Sequence, residues 1–171
     1  MLEDDTLRHG PIEALFTATE ETGMDGAFGL KEGLLRGDIL LNLDSETEGE
    51  LYVGCAGGLD ANITFEYTPE AAPTRNRTAV KLTVKGLKGG HSGIQIGTQR
   101  ANANRLLFRF LNRVSASCEV LLASVDGGGL RNAIPREAEA VVLVKTEDYE
   151  TFVKGLNAYE EPVKAEFAGI E

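Results

Sequence analysis

The spacing of apolar residues changes character along the chain. Residues 12–19 form a short apolar run with β-branched and aromatic members, entered through His9-Gly10-Pro11 and left through Glu20-Glu21-Thr22-Gly23, which predicts a buried strand ending in a polar corner. Residues 24–35 place Ala27, Leu30 and Leu34 at helical spacing, and a helix closing near Gly37 is expected although Gly26, Gly29 and Gly33 lower the propensity. A second apolar run, residues 38–43, also ends in acids, Asp44-Ser45-Glu46. A third, residues 50–55, stops at Ala56-Gly57-Gly58, which marks a domain boundary: residues 1–57 on one side and 58–171 on the other.

Beyond Gly58 the pattern becomes that of half-exposed strands. Residues 78–85 alternate strictly, Val80, Leu82 and Val84 against Lys81, Thr83 and Lys85, so one face is wet and an antiparallel sheet is predicted. After a glycine-rich stretch at residues 86–97, Ala103, Leu106, Leu107, Phe110, Leu111 and Val114 recur at helical spacing. Strands follow at residues 118–125 and 138–145, joined by a loop with Gly127-Gly128-Gly129 and Pro135. A last helix is expected from Thr146 as N-cap, with Tyr149, Phe152, Val153 and Leu156 inward and Pro162 kinking or interrupting it. The order strand, strand, helix, strand, strand, helix predicts a two-layer sandwich with helices on one face, a final strand lacking.

Composition narrows the class. A chain of 171 residues can bury a core, and its 42% hydrophobic and 26% charged content is ordinary for a globular protein. The formal net charge of -10 argues against nucleic acid or an anionic membrane as partner, both of which require a basic face. No run reaches the ~20 apolar residues of a membrane span, residues 1–8 are acidic and unlike a signal peptide, and the cytoplasm is the expected compartment. Cys55 and Cys118 are far apart in apolar stretches, which predicts buried, unpaired thiols.

Ligands of open α/β sheets bind outside the carboxyl ends of strands, which singles out Glu20, Glu21 and Asp44. Adjacent carboxylates leaving a strand can diverge, one toward a metal and one toward a proton. Their plainer reading is solvated turn acids, and Glu46, Glu48 and Glu50 fit that description better. Of the two histidines, His9 belongs to a surface loop, whereas His91 sits in Gly89-Gly90-His91-Ser92-Gly93, where glycines allow a tight turn or a close ligand; a flexible hairpin tip is equally compatible. Ser92 beside His91 makes a poor nucleophile and base, since sequence neighbours seldom face each other and no orienting acid is evident. Gly127 to Gly129 lack the strand-to-helix setting of a phosphate loop.

Taken together, His9-Gly-Pro-Ile-Glu-Ala-Leu-Phe-Thr, Thr19-Glu20-Glu21-Thr-Gly-Met, Leu41-Asn-Leu-Asp44-Ser-Glu, Gly54-Cys-Ala-Gly-Gly58, Lys88-Gly-Gly-His91-Ser-Gly and Arg131-Asn132-Ala-Ile-Pro135-Arg-Glu-Ala resemble the co-catalytic zinc peptidases. That family includes aminoacylases, carnosinases and glutamate-type carboxypeptidases, and the match is nearest to its aminoacyl-histidine dipeptidases. The resemblance covers the whole chain and implies an α/β fold: part of a mostly parallel peptidase sheet, then an α+β lid that mediates dimerisation and begins at Gly58. It implies two zinc ions, with Glu21 a ligand of one and Asp44 of the other. Glu20 would be the general base that takes a proton from a metal-bridging water. His91 would stabilise the oxyanion from the lid of the partner subunit, and Asn132 would contact the dipeptide substrate.

The family pattern also requires an upstream histidine ligand with an aspartate two residues later, a bridging aspartate and a late histidine ligand, and none of these is found here. The resemblance therefore implies an internal portion of a longer Xaa-His dipeptidase, inactive alone and unable to hold both zinc ions tightly. One alternative is a non-catalytic dimerisation or small-ligand-binding module. Another is an unrelated α/β domain whose acidic turns mimic the motif. Apolar runs without sheet neighbours predict self-association, as a dimer or a strand-exchanged assembly.

Overall fold

The alternating run beyond the glycine-rich boundary forms strand β1 (Arg77–Val84) in a computed structural model of the chain, which describes residues 3–45 and 47–171. After a two-residue strand β2 (Gly90–His91) comes helix α2 (Ala103–Val114), then β3 (Val120–Gly127), a second short strand β4 (Ala133–Ile134), β5 (Ala138–Lys145) and helix α3 (Tyr149–Glu166). The strands β1, β5 and β3 lie in that order, with β5 in the middle and antiparallel to both neighbours. Chain contacts divide the molecule into two units, Met1–Thr64 and Phe65–Glu171, and all five strands belong to the second.

The alternation of β5 decides which face is core. Ala138, Ala140, Val142 and Val144 are buried, while Glu139 between them is exposed. Leu82 of β1 joins that face, and the buried stripe of α2, Ala103, Leu107, Phe110 and Val114, closes over it with Phe152 and Tyr159 of α3. The rings of Phe110 and Phe152 meet edge to face, 5.4 Å between centroids at 78°. This is the two-layer arrangement expected, both helices on one side of an antiparallel sheet. A bulge between Leu122 and Ser124 interrupts the β3 register, and Leu122 and Val125 remain 51% and 43% exposed on this edge strand.

Two polar clusters tie the elements together. Arg109 of α2 makes a bidentate pair with Glu166 of α3 (3.0 and 2.7 Å) and donates from Nε to the Tyr159 hydroxyl (2.8 Å), which itself donates to the Leu106 carbonyl (3.0 Å). The Glu166 bond raises Arg109 above the usual guanidinium range, and the same bond lowers Glu166. In the second cluster, Glu119 pairs with Lys145 (2.9 Å) and with Arg77, joining the ends of β1, β3 and β5. Bonds from Lys145 and then Arg77 hold the Glu119 carboxyl down at about 2.

Several sequence expectations fail, each for a physical reason. Residues 12–19, 38–43 and 50–55 are not strands: among the described residues of Met1–Thr64 no run pairs with another, and a strand without a neighbour has no partner for its N–H and C=O groups. The mostly parallel sheet is accordingly not seen, and the apolar side chains of these runs stay exposed, Phe16 at 92% and Val53 at 94%. Cys55 is exposed, not buried, because its run is; Cys118 is buried, and both thiols are unpaired. The helix expected over residues 24–35 shrinks to a single turn, α1 (Asp25–Phe28), with Gly26 inside it and Gly29 at its C-cap. Glu46 of the acidic turn lies outside the described residues. Thr146 opens a 3-10 turn, Thr146–Asp148, with no side-chain cap, and α3 runs through Pro162, whose missing bond falls on an exposed face open to water.

Two outcomes follow. Phe152→Ala should lower the free energy of unfolding by about 3–5 kcal/mol in urea titration, since it empties the centre of a dry core. Glu119 is depressed in the folded state, so its stabilisation is present above the ordinary carboxylate value and is lost as pH falls from about 4.5 through about 2. Glu119→Gln should therefore flatten the acid limb of a stability-against-pH curve in that window, lying below wild type at neutral pH and meeting it in strong acid.

Candidate functional site

In the second unit the glycine-rich loop after β1 and the loop between β3 and β5 meet edge to edge. The two short strands pair Gly90 with Ile134 and His91 with Ala133. The Ser92 N–H extends the ladder to the Asn132 carbonyl at 2.9 Å. His91 and Asn132, forty-one positions apart in sequence, thus stand side by side. They line an open groove of about 670 Å³ with Gly128, Gly129, Pro135 and Arg136.

Local bonds fix the histidine. Its backbone N–H donates to Gln95 Oε1 (2.7 Å), and its Nδ1 accepts from the Gly93 and Ile94 amides (3.1 and 3.3 Å). With Nδ1 occupied as an acceptor, a neutral ring carries its proton on Nε2, leaving that atom as a donor. Arg100 Nη1 donates to the Gly89 carbonyl (2.5 Å) and Arg136 Nε to the Leu87 carbonyl (3.2 Å), so two cations hold the approach to His91. Gly89 is buried at φ +64°, and a Cβ there would stand 2.3 Å from Arg136 Cγ and 3.0 Å from the Ile134 carbonyl. The glycine thus answers to a close approach as well as to a left-handed turn.

The acids sit in the first unit. Glu20 and Glu21 are exposed on a turn closed around Thr19, whose carbonyl accepts from the Gly23 N–H (3.0 Å) and whose hydroxyl accepts from the Asp25 N–H (2.9 Å). Asp44 is exposed, with its backbone N–H bonded to Asn42 Oδ1 (2.9 Å). The same unit is tied by Glu13, whose Oε2 accepts from the Arg36 and Gly37 amides (2.7 and 2.8 Å). Among the described residues no three His, Cys, Asp or Glu side chains gather as a metal centre. Glu21 and Asp44 can each offer one carboxylate to a cation, and a zinc site takes three or four protein ligands. His9 bonds through Nδ1 with the Gly10 carbonyl (2.8 Å) in an exposed loop.

Sequence reasoning missed Gln95, Arg100 and Arg136 as supports of the His91 loop. Arg136 was visible within the Asn132 motif; Gln95 and Arg100 carry no pattern of their own and are recognisable only once the loop is folded.

The chain as a whole is similar to known proteins. The sequence pattern of the peptidase dimerisation domain matches residues 74–171. The cytosol non-specific dipeptidase of Escherichia coli strain K12 is 49% identical over all 171 residues, which correspond to 35% of its length. The crystal structure of aminoacylhistidine dipeptidase from Vibrio alginolyticus superposes with a TM-score of 0.72 at 45% identity, over 99% of this chain and 34% of that one. The chain thus spans about a third of the length of these relatives.

The geometry of the groove makes one substitution decisive. Gly89→Ala should part β2 from β4, seen as faster amide exchange at Ser92 while the amides of β5 keep their protection; unchanged exchange at Ser92 would show that the close approach is not limiting.

Proposed function

Since the chain belongs to the peptidase dimerisation domain family, we propose that it forms the lid and part of the catalytic unit of a zinc-dependent dipeptidase acting on Xaa-His and related dipeptides. Lid and catalytic portions divide near Gly58 in this reading. The observation that carries it is the groove on which His91 and Asn132 lie together, within a chain similar throughout its length to two dipeptidases.

Each residue has a distinct task. Glu20 accepts the proton of the attacking water and passes it to the departing amine, the work of a general base that becomes a general acid. Glu21 and Asp44 each lend a carboxylate to a different zinc ion, the remaining ligands lying outside this set. When bound, the two ions polarise water and the scissile carbonyl. His91 donates from Nε2 to the oxygen that gains charge, and Asn132 binds the dipeptide. His91 acts on the site of a partner subunit, so the active form is a homodimer through the lid. The exposed Leu121, Leu122 and Val125 on the β3 edge favour such pairing. A cytoplasmic location accords with the cytosolic relative, and no described helix is long and apolar enough to cross a membrane.

A second reading, a non-catalytic dimerisation or small-ligand-binding module, is favoured by the match of residues 74–171 to a dimerisation domain. A chimera separates the two. Exchanging the matching third of the Escherichia coli relative for this chain should give a zinc-dependent dipeptidase, and Glu20→Gln in that chimera should lower kcat by roughly 10²–10⁴-fold with zinc content retained. An inactive but folded, zinc-loaded chimera, or one indifferent to Glu20→Gln, would refute the catalytic assignment. The chain alone should bind zinc without submicromolar, stoichiometric affinity in calorimetry. Light scattering should find it dimeric, and a clean monomer at high concentration would count against the lid pairing.

A further inference from the structure

We propose that Glu171 is a positioning residue for His91, its carboxylate clasping together the two ends of the loop, residues 88–101, that carries the histidine to the groove. The carboxylate spans the loop: Oε2 accepts from the Lys88 N–H at 2.6 Å and Oε1 from the Ala101 N–H at 2.8 Å. Lys88 adds a second tie, from its Nζ to the Ile170 carbonyl. Ala101 is only 1% exposed and stands two residues ahead of α2, so the clasp fixes the loop against the core itself.

A turn after α3 brings this carboxylate to the loop. Helix α3 is capped by Phe167, whose N–H bonds the Val163 carbonyl (3.2 Å). Gly169 at φ +79° then turns the chain, and the Ile170 and Glu171 amides both return to the Phe167 carbonyl (3.0 and 3.1 Å). A left-handed residue at this point requires glycine or strain.

Bonds within the loop, Gln95 to the His91 N–H and Arg100 to the Gly89 carbonyl, set its internal shape. Since Gly89 and Arg100 lie next to the two ends, the second of these bonds already draws the ends together, and the Glu171 carboxylate adds a tie one residue further out on each side. A charged carboxylate holding both ends makes stronger bonds than a neutral acceptor and restricts the conformations the loop can sample. Glu171 acts through backbone amides and is not among the residues that line the groove, so it positions and does not react. The role rests on the reading that His91 works at the groove.

The test uses the full 171-residue chain, free of metal and substrate, followed by NMR. Glu171→Ala should speed amide exchange at Gly93 and Ile94, the two donors to His91 Nδ1, by roughly tenfold or more and shift the ring ¹⁵N resonances of His91. Protection across β5 and the melting temperature should hold. Glu171→Gln, which keeps one acceptor oxygen, should fall between wild type and alanine. Gly169→Ala leaves the carboxylate in place but strains its approach, and should loosen the same two amides. Unchanged His91 ring signals and Gly93 and Ile94 exchange in Glu171→Ala would overturn the proposal. So would a uniform loss of protection that includes β5, since Glu171 would then support the fold at large. Because no turnover is measured, this result stands apart from the chimera: either can fail while the other succeeds.

Discussion

The second unit depends on one face of one strand. β5 is the only strand with neighbours on both sides in its sheet, and its inward set of Ala138, Ala140, Val142 and Val144 is the floor on which α2 and α3 rest. Small and β-branched residues there let the Phe110, Phe152 and Tyr159 rings settle close to the sheet. Once that layer is closed, the ends of β1 and β5 are fixed, and with them the loops that leave those ends. The β2 and β4 pair bearing His91 and Asn132 is built from these loops.

Polar groups in this unit serve mainly as fasteners. Arg109 with Glu166 and Tyr159 joins the two helices, Glu119 joins three strand ends, and Glu171 joins the ends of the histidine loop. Such ties lie at the rim and add little to net stability in water, but they select one arrangement among several that the apolar core would permit. The groove inherits its shape from that selection. Its backbone contacts, the Ser92 amide on the Asn132 carbonyl and the Gly89 carbonyl on Arg100, leave the His91 ring and the Asn132 side chain to present chemistry.

The first unit follows a different logic. Its apolar runs have strand-like composition but no paired neighbour among the described residues, and a β-strand is a cooperative structure that composition cannot supply alone. Short-range bonds, the turn at Thr19 and the Glu13 bonds to Arg36 and Gly37, are what remain. The exposed apolar surface left there is of the kind that a further sheet or a second copy would cover.

How much was legible in the sequence divides along the same line. Where the period is self-consistent and the partner is nearby, residues 103–114 and 138–145 read as a helix and a strand with the bounds observed, and the antiparallel, one-sided sheet follows from alternation alone. Residues 12–19 and 38–43 read equally well as strands and are not, because pairing is a property of two segments. Glu20, Glu21, Asp44, His91 and Asn132 were recognisable as candidates from motif order. That His91 and Asn132 share a groove, that Nδ1 is the bonded ring nitrogen, and that Arg100 and Glu171 hold the loop were decided by tertiary structure. A sequence states which side chains are available; which backbone amides lie within about 3 Å of them depends on how distant loops are brought together.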